Sequence, residues 1–336
     1  MINAFAHGNN LPSFRLKQFN EAYYRQFIGS YDELTTWPKD LRTKLSETIP
    51  FTRLSPTKTL ISQNKDVYKV AFQRLADKQQ IEAVLMRHED GRNTVCVSCM
   101  VGCPVNCSFC ATGKMGFRGN LTADEIVDQV LYFCRICKEL GETVTNVVYM
   151  GMGEPMLNLP EVEKSIAILT DPEKMGLGDR RITVSTSGYI PQFKQFISSG
   201  YKGRIALSLH APNQQIREKI MPIAKVFKFD DLINAMDEYT KLSNKRITYE
   251  YILINGINDE LEHAESLSRL LRNRLAHVNL IPYNTVTQSP YQRPSNNRLF
   301  RFAEVLKEHG IPYTLRVTMG DDIKAACGQL SSEDAN

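Results

Sequence analysis

The sequence predicts an α/β protein: a partial (β/α)6 barrel preceded by a small N-terminal α-helical domain and a β-hairpin extension. Three observations lead there. Strand-like and helix-like runs alternate from Thr94 onward, and such alternation implies a parallel sheet with helices packed outside it. Six strand-like runs precede the last helix, too few for a closed eight-stranded barrel. Before Thr94 the pattern differs, helical first and then strand-alternating.

Residues 11–47, LPSFRLKQFNEAYYRQFIGSYDELTTWPKDLRTKLSE, space their apolar side chains three and four apart, with Trp37-Pro38 as a break. Two alternating stretches, VYKVAFQRL (67–75) and QIEAVLMR (80–87), are separated by ADKQ and read as a β-hairpin. Strands are then expected at TVCVS (94–98), TNVVYM (145–150), RITVSTS (181–187), RIALSLH (204–210), RITYEYILI (246–254) and HVNLIPY (277–283). Between them, TADEIVDQVLYFCRICKEL (122–140) opens with a capping box from Thr122 to Glu125. FDDLINAMDEYTKL (229–242) and DELEHAESLSRLLRN (259–273) also carry helical spacing. A last helix (296–310) and a strand, YTLRV (313–317), lead to a tail ending ACGQLSSEDAN. The expected units are a helical domain over 1–66, the hairpin extension over 67–93, the barrel over 94–290 and a C-terminal segment over 291–336.

Hydrophobic content of 42% and charged content of 23% over 336 residues are those of a soluble globular protein. No run of about 18 apolar residues exists to span a membrane, and the N-terminus lacks a basic segment followed by an apolar one. The expectation is a cytoplasmic monomer in a reducing compartment, where clustered cysteines serve as metal ligands or redox catalysts. The net charge of +4 resides in residues 1–72, with ten Lys/Arg against six Asp/Glu. Its basic residues interleave with Tyr23, Tyr24 and Tyr31. Such a segment fits a docking surface for a phosphate backbone, and equally an ordinary solvated face.

Five of the eight cysteines fall in CVSCMVGCPVNCSFC (96–110). Cys103, Cys107 and Cys110 follow the spacing C-x3-C-x2-C on one loop between a strand and a helix. Three thiolates so placed can hold three irons of a cubane cluster. Zinc usually takes four ligands as two separated pairs, so the spacing favours iron–sulfur. Cys134 and Cys137 lie within a helical pattern and read as core packing. After the second barrel strand, YMGMGEPMLN (149–158) offers glycines at 151 and 153 that let a backbone approach a ligand. Glu154 there could accept a hydrogen bond from an ammonium group. Ser185, the run Ser208-Leu209-His210 and Asn284 stand where strands meet their loops, suited to a ribose, a carboxylate or an adenine edge.

CPVNCSFCATG, with Phe109 before the last cysteine, resembles the cluster motif of the radical S-adenosylmethionine (radical SAM) superfamily. The resemblance implies a [4Fe-4S] cluster on Cys103, Cys107 and Cys110, SAM on its open iron, and a partial barrel with its site at the strands' C-terminal ends. Gly153, Glu154, Ser185, Ser208, Leu209, His210 and Asn284 would then hold SAM. CVS-x4-C-x3-C-x2-C together with ACGQL around Cys327 is similar more narrowly to the RlmN/Cfr family of 23S rRNA adenine methyltransferases. NLTADEIVDQV, YMGMGEP, STSG, SLH and IPYN extend that likeness over nearly the whole chain.

The family chemistry implies that one SAM methylates Cys327 and that a second yields the radical that activates the methyl group. The resulting carbon radical adds to adenine as a protein–RNA crosslink. A base then deprotonates the adduct, and Cys96 attacks Cys327 to leave a disulfide. Glu82 in QIEAV matches the family's base, with Glu89 as a rival, and Cys99 lies outside the family pattern and reads as packing. Implied partners are 23S rRNA, a tRNA for some carbon 2 members, and an electron donor such as flavodoxin or ferredoxin. Pro155 favours carbon 2 over carbon 8 of the adenine. A zinc-dependent, non-catalytic RNA-binding protein is the alternative from another class.

Overall fold

The computed structural model describes residues 2–286, 289–316 and 319–331. Its strands, in chain order, are β1 (Leu54–Ile61), β2 (Val67–Arg74), β3 (Gln80–Arg87), β4 (Asn93–Cys96), β5 (Met100–Gly102), β6 (Phe117–Asn120), β7 (Asn146–Tyr149), β8 (Ile182–Thr186), β9 (Arg204–Ser208), β10 (Ile247–Leu253), β11 (Ala276–Pro282) and β12 (Tyr313–Leu315). Ten of them form one open sheet in the order β1-β2-β3-β4-β7-β8-β9-β10-β11-β12. From β4 to β12 all neighbours are parallel, while β1 to β4 pair antiparallel.

The six expected barrel strands are all present, and β12 adds a seventh parallel one at the edge. Only part of the YTLRV stretch lies within the described residues, since Val317 falls outside them. The hairpin of β2 and β3 is also present, but it is continuous with the barrel sheet through β3 and β4 rather than a separate ribbon. Antiparallel strands of alternating sequence commonly keep one face in water. Instead β2 is buried at seven of eight positions, Lys69 included. The reason is the C-terminal segment, which covers the face that would otherwise be solvated.

Two pairings were not foreseen from the sequence. β1 (LSPTKTLI) carries a proline and mostly exposed polar residues, a composition tolerated only at a sheet edge, which is where it lies. β5 and β6 are short and pair only with each other, bracketing the cysteine loop.

Central strands such as β10 (ITYEYIL) are buried at nearly every position because helices cover the parallel sheet. The helix Ala123–Glu139 shows the expected capping box: Thr122 Oγ1 accepts from the Glu125 amide at 3.3 Å, and Glu125 Oε2 accepts from the Thr122 amide at 2.8 Å. Glu125 also pairs with Arg74 of β2 at 2.9 Å, locking the helix start against the extension. Cys134 and Cys137 are buried in this helix, as packing residues would be. Among the described residues no helix is long and apolar enough to cross a membrane.

The N-terminal helices Ser13–Asn20 and Lys39–Thr48 close over an aromatic cluster of Phe19, Tyr23, Tyr31, Trp37 and Phe51. Trp37 is 2% exposed and donates its Nε1–H to the Arg15 carbonyl at 3.2 Å. This unit joins the barrel through buried Asp128, whose carboxylate accepts from Tyr23 Oη (3.2 Å), Thr52 Oγ1 (3.0 Å) and the Arg53 amide (2.6 Å). Removing the acceptor leaves the Arg53 amide unmatched and leaves the Tyr23 and Thr52 hydroxyls only the Phe51 and Leu54 carbonyls. Asp128→Ala should therefore cost about 1–3 kcal/mol of unfolding free energy, read by chemical denaturation; a loss within about 0.5 kcal/mol, the range of ordinary surface substitutions, would show that the joint does not depend on this carboxylate.

Candidate active site

The cysteine loop leaves the sheet at the C-terminal end of β4. Ser98 fixes its departure, donating Oγ–H to the Glu82 carbonyl at 2.5 Å and accepting from the Met152 amide at 2.8 Å. At Gly102 the backbone turns with φ of +68°, and a Cβ there would stand 1.8 Å from the Gly116 carbonyl oxygen, so only glycine fits. Asn106 takes a second left-handed turn, φ 53°, between Val105 and Cys107.

Cys103, Cys107 and Cys110 are half-buried and line one cleft. An apolar shell containing Val105, Phe109, Met221, Ile252 and Tyr283 surrounds them. Burial pushes the Cys107 thiol well above its usual range and that of Cys103 up to about 12, and their neighbouring thiols add to the effect. Among the described residues no three His, Cys, Asp or Glu side chains converge on a single ion. In a cubane each thiolate binds its own iron, so thiols ringing a space fit that group. The soft donor set and dry shell fit an iron–sulfur cluster, whose positive irons offset the charge that burial penalises.

Opposite this loop, the ends of β7 to β10 form the other wall. Glu154 is 3% exposed and accepts from the Met156 amide (3.1 Å), Thr186 Oγ1 (2.8 Å), the Ser187 amide (2.7 Å) and Ser187 Oγ (2.7 Å). Burial raises its pKa, with the Ser187 and Thr186 donors opposing. Gly153, at φ +109°, lets the chain pass Met100 where a Cβ would come within 2.7 Å. Ser185 and Ser208 face each other at 3.5 Å between their hydroxyl oxygens.

His210 has left-handed φ of 57°, stacks edge-on to Phe109, and accepts the Ile252 amide proton at Nδ1, 3.0 Å away. Burial drops its pKa to about 3, so the ring is neutral, and the accepting Nδ1 assigns its proton to Nε2. Arg217 lies beneath this wall, fully buried. It donates to the carbonyls of Ser187 (2.6 Å), Ser208 (3.2 Å) and Leu209 (3.2 Å), tying the ends of β8 and β9 together. Leu209 itself buries its side chain completely and does not line the cleft.

The third wall comes from the C-terminus. Cys327 opens onto the cleft, held by its carbonyl to Asn284 Nδ2 at 3.2 Å. Arg316 Nη1 lies 3.7 Å from its sulfur. Glu250, a carboxylate in the middle of an apolar strand, accepts from Asn279 Nδ2 at 2.9 Å, and its buried Oε2 has no partner among the described residues. Burial raises the Cys327 thiol; Arg316 opposes this, while Glu250 and Cys110 add to it. Cys96 ends β4 just behind the wall. Burial pushes its thiol up to about 12, with the charge of nearby Cys327 adding to the effect.

Glu82 is 1% exposed on β3, on the face shared with Val84 and its cross-strand partner Cys96, whereas Glu89 is exposed in the turn after β3. Cys99 is buried beneath Gly153. Sequence reasoning missed Thr186, Ser187, Arg217, Glu250 and Arg316. Glu250 had a visible signal, a lone carboxylate inside RITYEYILI. The others became meaningful only through contacts across the fold.

Residues 97–267 match the profile of the Radical SAM superfamily. The chain is 41% identical over 95% of its length to a probable dual-specificity RNA methyltransferase RlmN of Dictyoglomus thermophilum, of which it covers 90%. It is 42% identical over 97% of its length to the protein of that name from Bacillus licheniformis, again covering 90%. The chain is similar in structure to a radical SAM methyltransferase from Sphaerobacter thermophilus, with a TM-score of 0.96, 44% identity, and coverage of 99% of this chain and 97% of that one. The two cysteine motifs, the partial barrel with its thiol-ringed cleft and the end-to-end likeness agree: the chain belongs to the RlmN/Cfr family of radical SAM enzymes and is an RNA methyltransferase.

Proposed function

We propose that the enzyme methylates carbon 2 of one adenine in 23S rRNA, and of an adenine in some tRNAs, with Cys327 carrying the methyl group from SAM to RNA. The observation that carries this reading is the shared cleft. The thiol triad, Glu154 and the open thiol of Cys327 all face one space. Carbon 2 of adenine is electrophilic and offers no lone pair, so direct transfer from a sulfonium methyl fails there. A thiol relay meets that difficulty.

Cys103, Cys107 and Cys110 would hold the [4Fe-4S] cluster, which when bound supplies the electron that splits SAM and so activates the methyl group on Cys327. Gly153, Glu154, Ser185, Ser208, Leu209, His210 and Asn284 would surround SAM, with Leu209 offering only its backbone. A carboxylate has about four lone-pair sites, and four donors already occupy those of Glu154. Admitting the SAM ammonium therefore requires the hydroxyl of Thr186 or Ser187 to turn away. The neutral His210 would present an Nε2–H donor.

The Cys327 thiolate attacks the sulfonium methyl of one SAM, and Arg316 stabilises that thiolate. After the methyl carbon, activated with a second SAM, joins adenine, the radical adduct would give up one electron to the oxidised electron carrier that SAM cleavage leaves behind, and its carbon 2 proton to Glu82. The Cys96 thiolate then attacks the Cys327 sulfur; the S–S bond forms as the S–C bond breaks, the electron pair stays on the adenine-bound methylene carbon, that carbon takes up a proton to become the methyl group, and methylated RNA leaves. The helical segment 1–66 would dock RNA, flavodoxin or ferredoxin would supply electrons, and the monomeric enzyme would work in the cytoplasm.

Mass spectrometry of 23S rRNA after incubation with reconstituted enzyme, SAM and reductant should find one new methyl group, on carbon 2 of an adenine; a methyl on carbon 8 would move the enzyme to the other branch. Cys327→Ala should abolish methylation, and full activity in that variant would end the relay. Cys96→Ala should accumulate a covalent protein–RNA species on denaturing gels; normal turnover would remove Cys96 from its role. Arg316 opposes the raised thiol of Cys327, so losing it shifts the rise of thiolate with pH to higher pH. Arg316→Met should therefore methylate Cys327 about tenfold more slowly near neutral pH and recover toward alkaline pH. An unchanged pH profile in single-turnover methylation would show that Arg316 does not act on the thiol.

A further inference from the structure

Arg217 is a fully buried cation that pairs with no carboxylate among the described residues. Nε and Nη2 donate to three neutral carbonyls, those of Leu209, Ser187 and Ser208, and Nη1 has no partner among the described residues. Carbonyl dipoles offset part of the cost of burying a charge, but an ion out of water calls for a counter-ion as well. Losing the proton is no escape, because a guanidinium stays charged in proteins. Burial lowers the Arg217 pKa to about 10, with the charge of Cys107 and then that of Glu154 opposing the fall.

The helix that carries Arg217, Gln214–Ile220, is fastened at its end to the cysteine loop. Ser108, the neighbour of Cys107, donates its amide (3.0 Å) and its hydroxyl (3.1 Å) to the Ile220 carbonyl. Met221, which follows, belongs to the apolar shell around the thiols. This joint keeps the guanidinium within charge range of Cys107. Of the two anions in range, Glu154 already accepts from four neutral donors. Cys107 is different. As a free thiol it is neutral, since burial and its neighbouring thiols push its pKa well above the usual range. As a metal ligand it must be a thiolate.

We propose that Arg217 is a positioning residue that supplies the buried counter-charge of the cluster on Cys103, Cys107 and Cys110, and that it raises the reduction potential of that cluster. The idea rests on the triad holding a [4Fe-4S] group. Reduction takes one electron from an external donor, with no bond made or broken, and adds negative charge to a site already built of thiolates. The cation stands in place beforehand, fixed by three carbonyls in a dry setting, so its field is strong and needs no rearrangement. Arg217 does not line the cleft. It therefore acts through its charge rather than by touching SAM or RNA.

Redox titration of the full-length, cluster-reconstituted enzyme, followed by the electron paramagnetic resonance of the reduced cluster, tests this without turnover. Arg217→Gln removes the charge and should lower the equilibrium constant for reduction about tenfold, about 59 mV toward negative potential. Arg217→Lys keeps the charge but gives up most of the carbonyl contacts, and should stay within about threefold of the unsubstituted enzyme. Loosened packing alone acts in the other direction, because water entering the shell favours the more highly charged, reduced form. An unchanged or raised potential in Arg217→Gln would overturn the proposal. So would a tenfold fall in Arg217→Lys, which decides alone if the neutral variant does not fold. Iron and sulfide analysis of the unsubstituted protein tests the cluster separately. A chain that binds no iron ends the cluster reading and this inference with it, whereas a loaded enzyme with an unmoved Arg217→Gln potential ends only the role of Arg217.

Discussion

The cleft depends on one return of the chain. After the last helix the backbone adds β12 beside β11 and crosses the mouth of the sheet, where its amides and carbonyls are taken up by residues from the cysteine loop, from β11's exit and from the hairpin. Without this return Cys327 would lie on a free tail, and the polar inner face of β2 and β3 would lie in water. With it, a thiol from the far end of the sequence stands within charge range of Cys96, Cys110 and Glu250. Backbone groups provide most of these contacts, so the segment's path is set by geometry more than by side-chain identity.

Burying this much charge needs compensation at each point, and the compensation differs. Glu154 is met by four donors and no cation. Among the partners of Glu82 are the Lys69 ammonium and the Ser331 amide. Arg217 is met by three carbonyls at the ends of strands, yet among the described residues its Nη1 has no partner. Glu250 accepts from Asn279, and among the described residues its Oε2 has no partner. Unmatched buried polar atoms are costly, and Glu250 lines the cavity where substrates would sit.

Much of this was legible in the residues. The βα alternation located all six barrel strands to within a residue or two, because parallel strands buried on both faces read as apolar runs bounded by polar turns. The capping box at Thr122 and Glu125 marked a helix start correctly, since both partners lie within one turn. The thiol triad was legible for the same reason, as its spacing is local. What was not legible is non-local. Nothing in QIEAV says that Glu82 meets Lys69 and Ser331, because the Ser331 contact spans 249 positions. Arg316 and Arg217 carry no signal of their own in the sequence; the fold places one beside a thiol and the other beneath two strand ends. β1 was missed because an edge strand has no core face to impose alternation.

Holding two thiols of one prospective disulfide in a single small site creates a hazard: premature closure would consume Cys327 before it received a methyl group. Burial works against that. Thiolate, not thiol, is the attacking form, and burial pushes Cys96 up to about 12, so at neutral pH it is almost wholly protonated. Arg316 hydrogen-bonds Cys327 and acts on Cys96 through its charge. The asymmetry favours the right nucleophile first. Cys327 is exposed to the cleft and lies beside a guanidinium, whereas Cys96 is half-buried at the end of β4 and has no such contact among the described residues. In the proposed relay that difference makes Cys327 the first nucleophile.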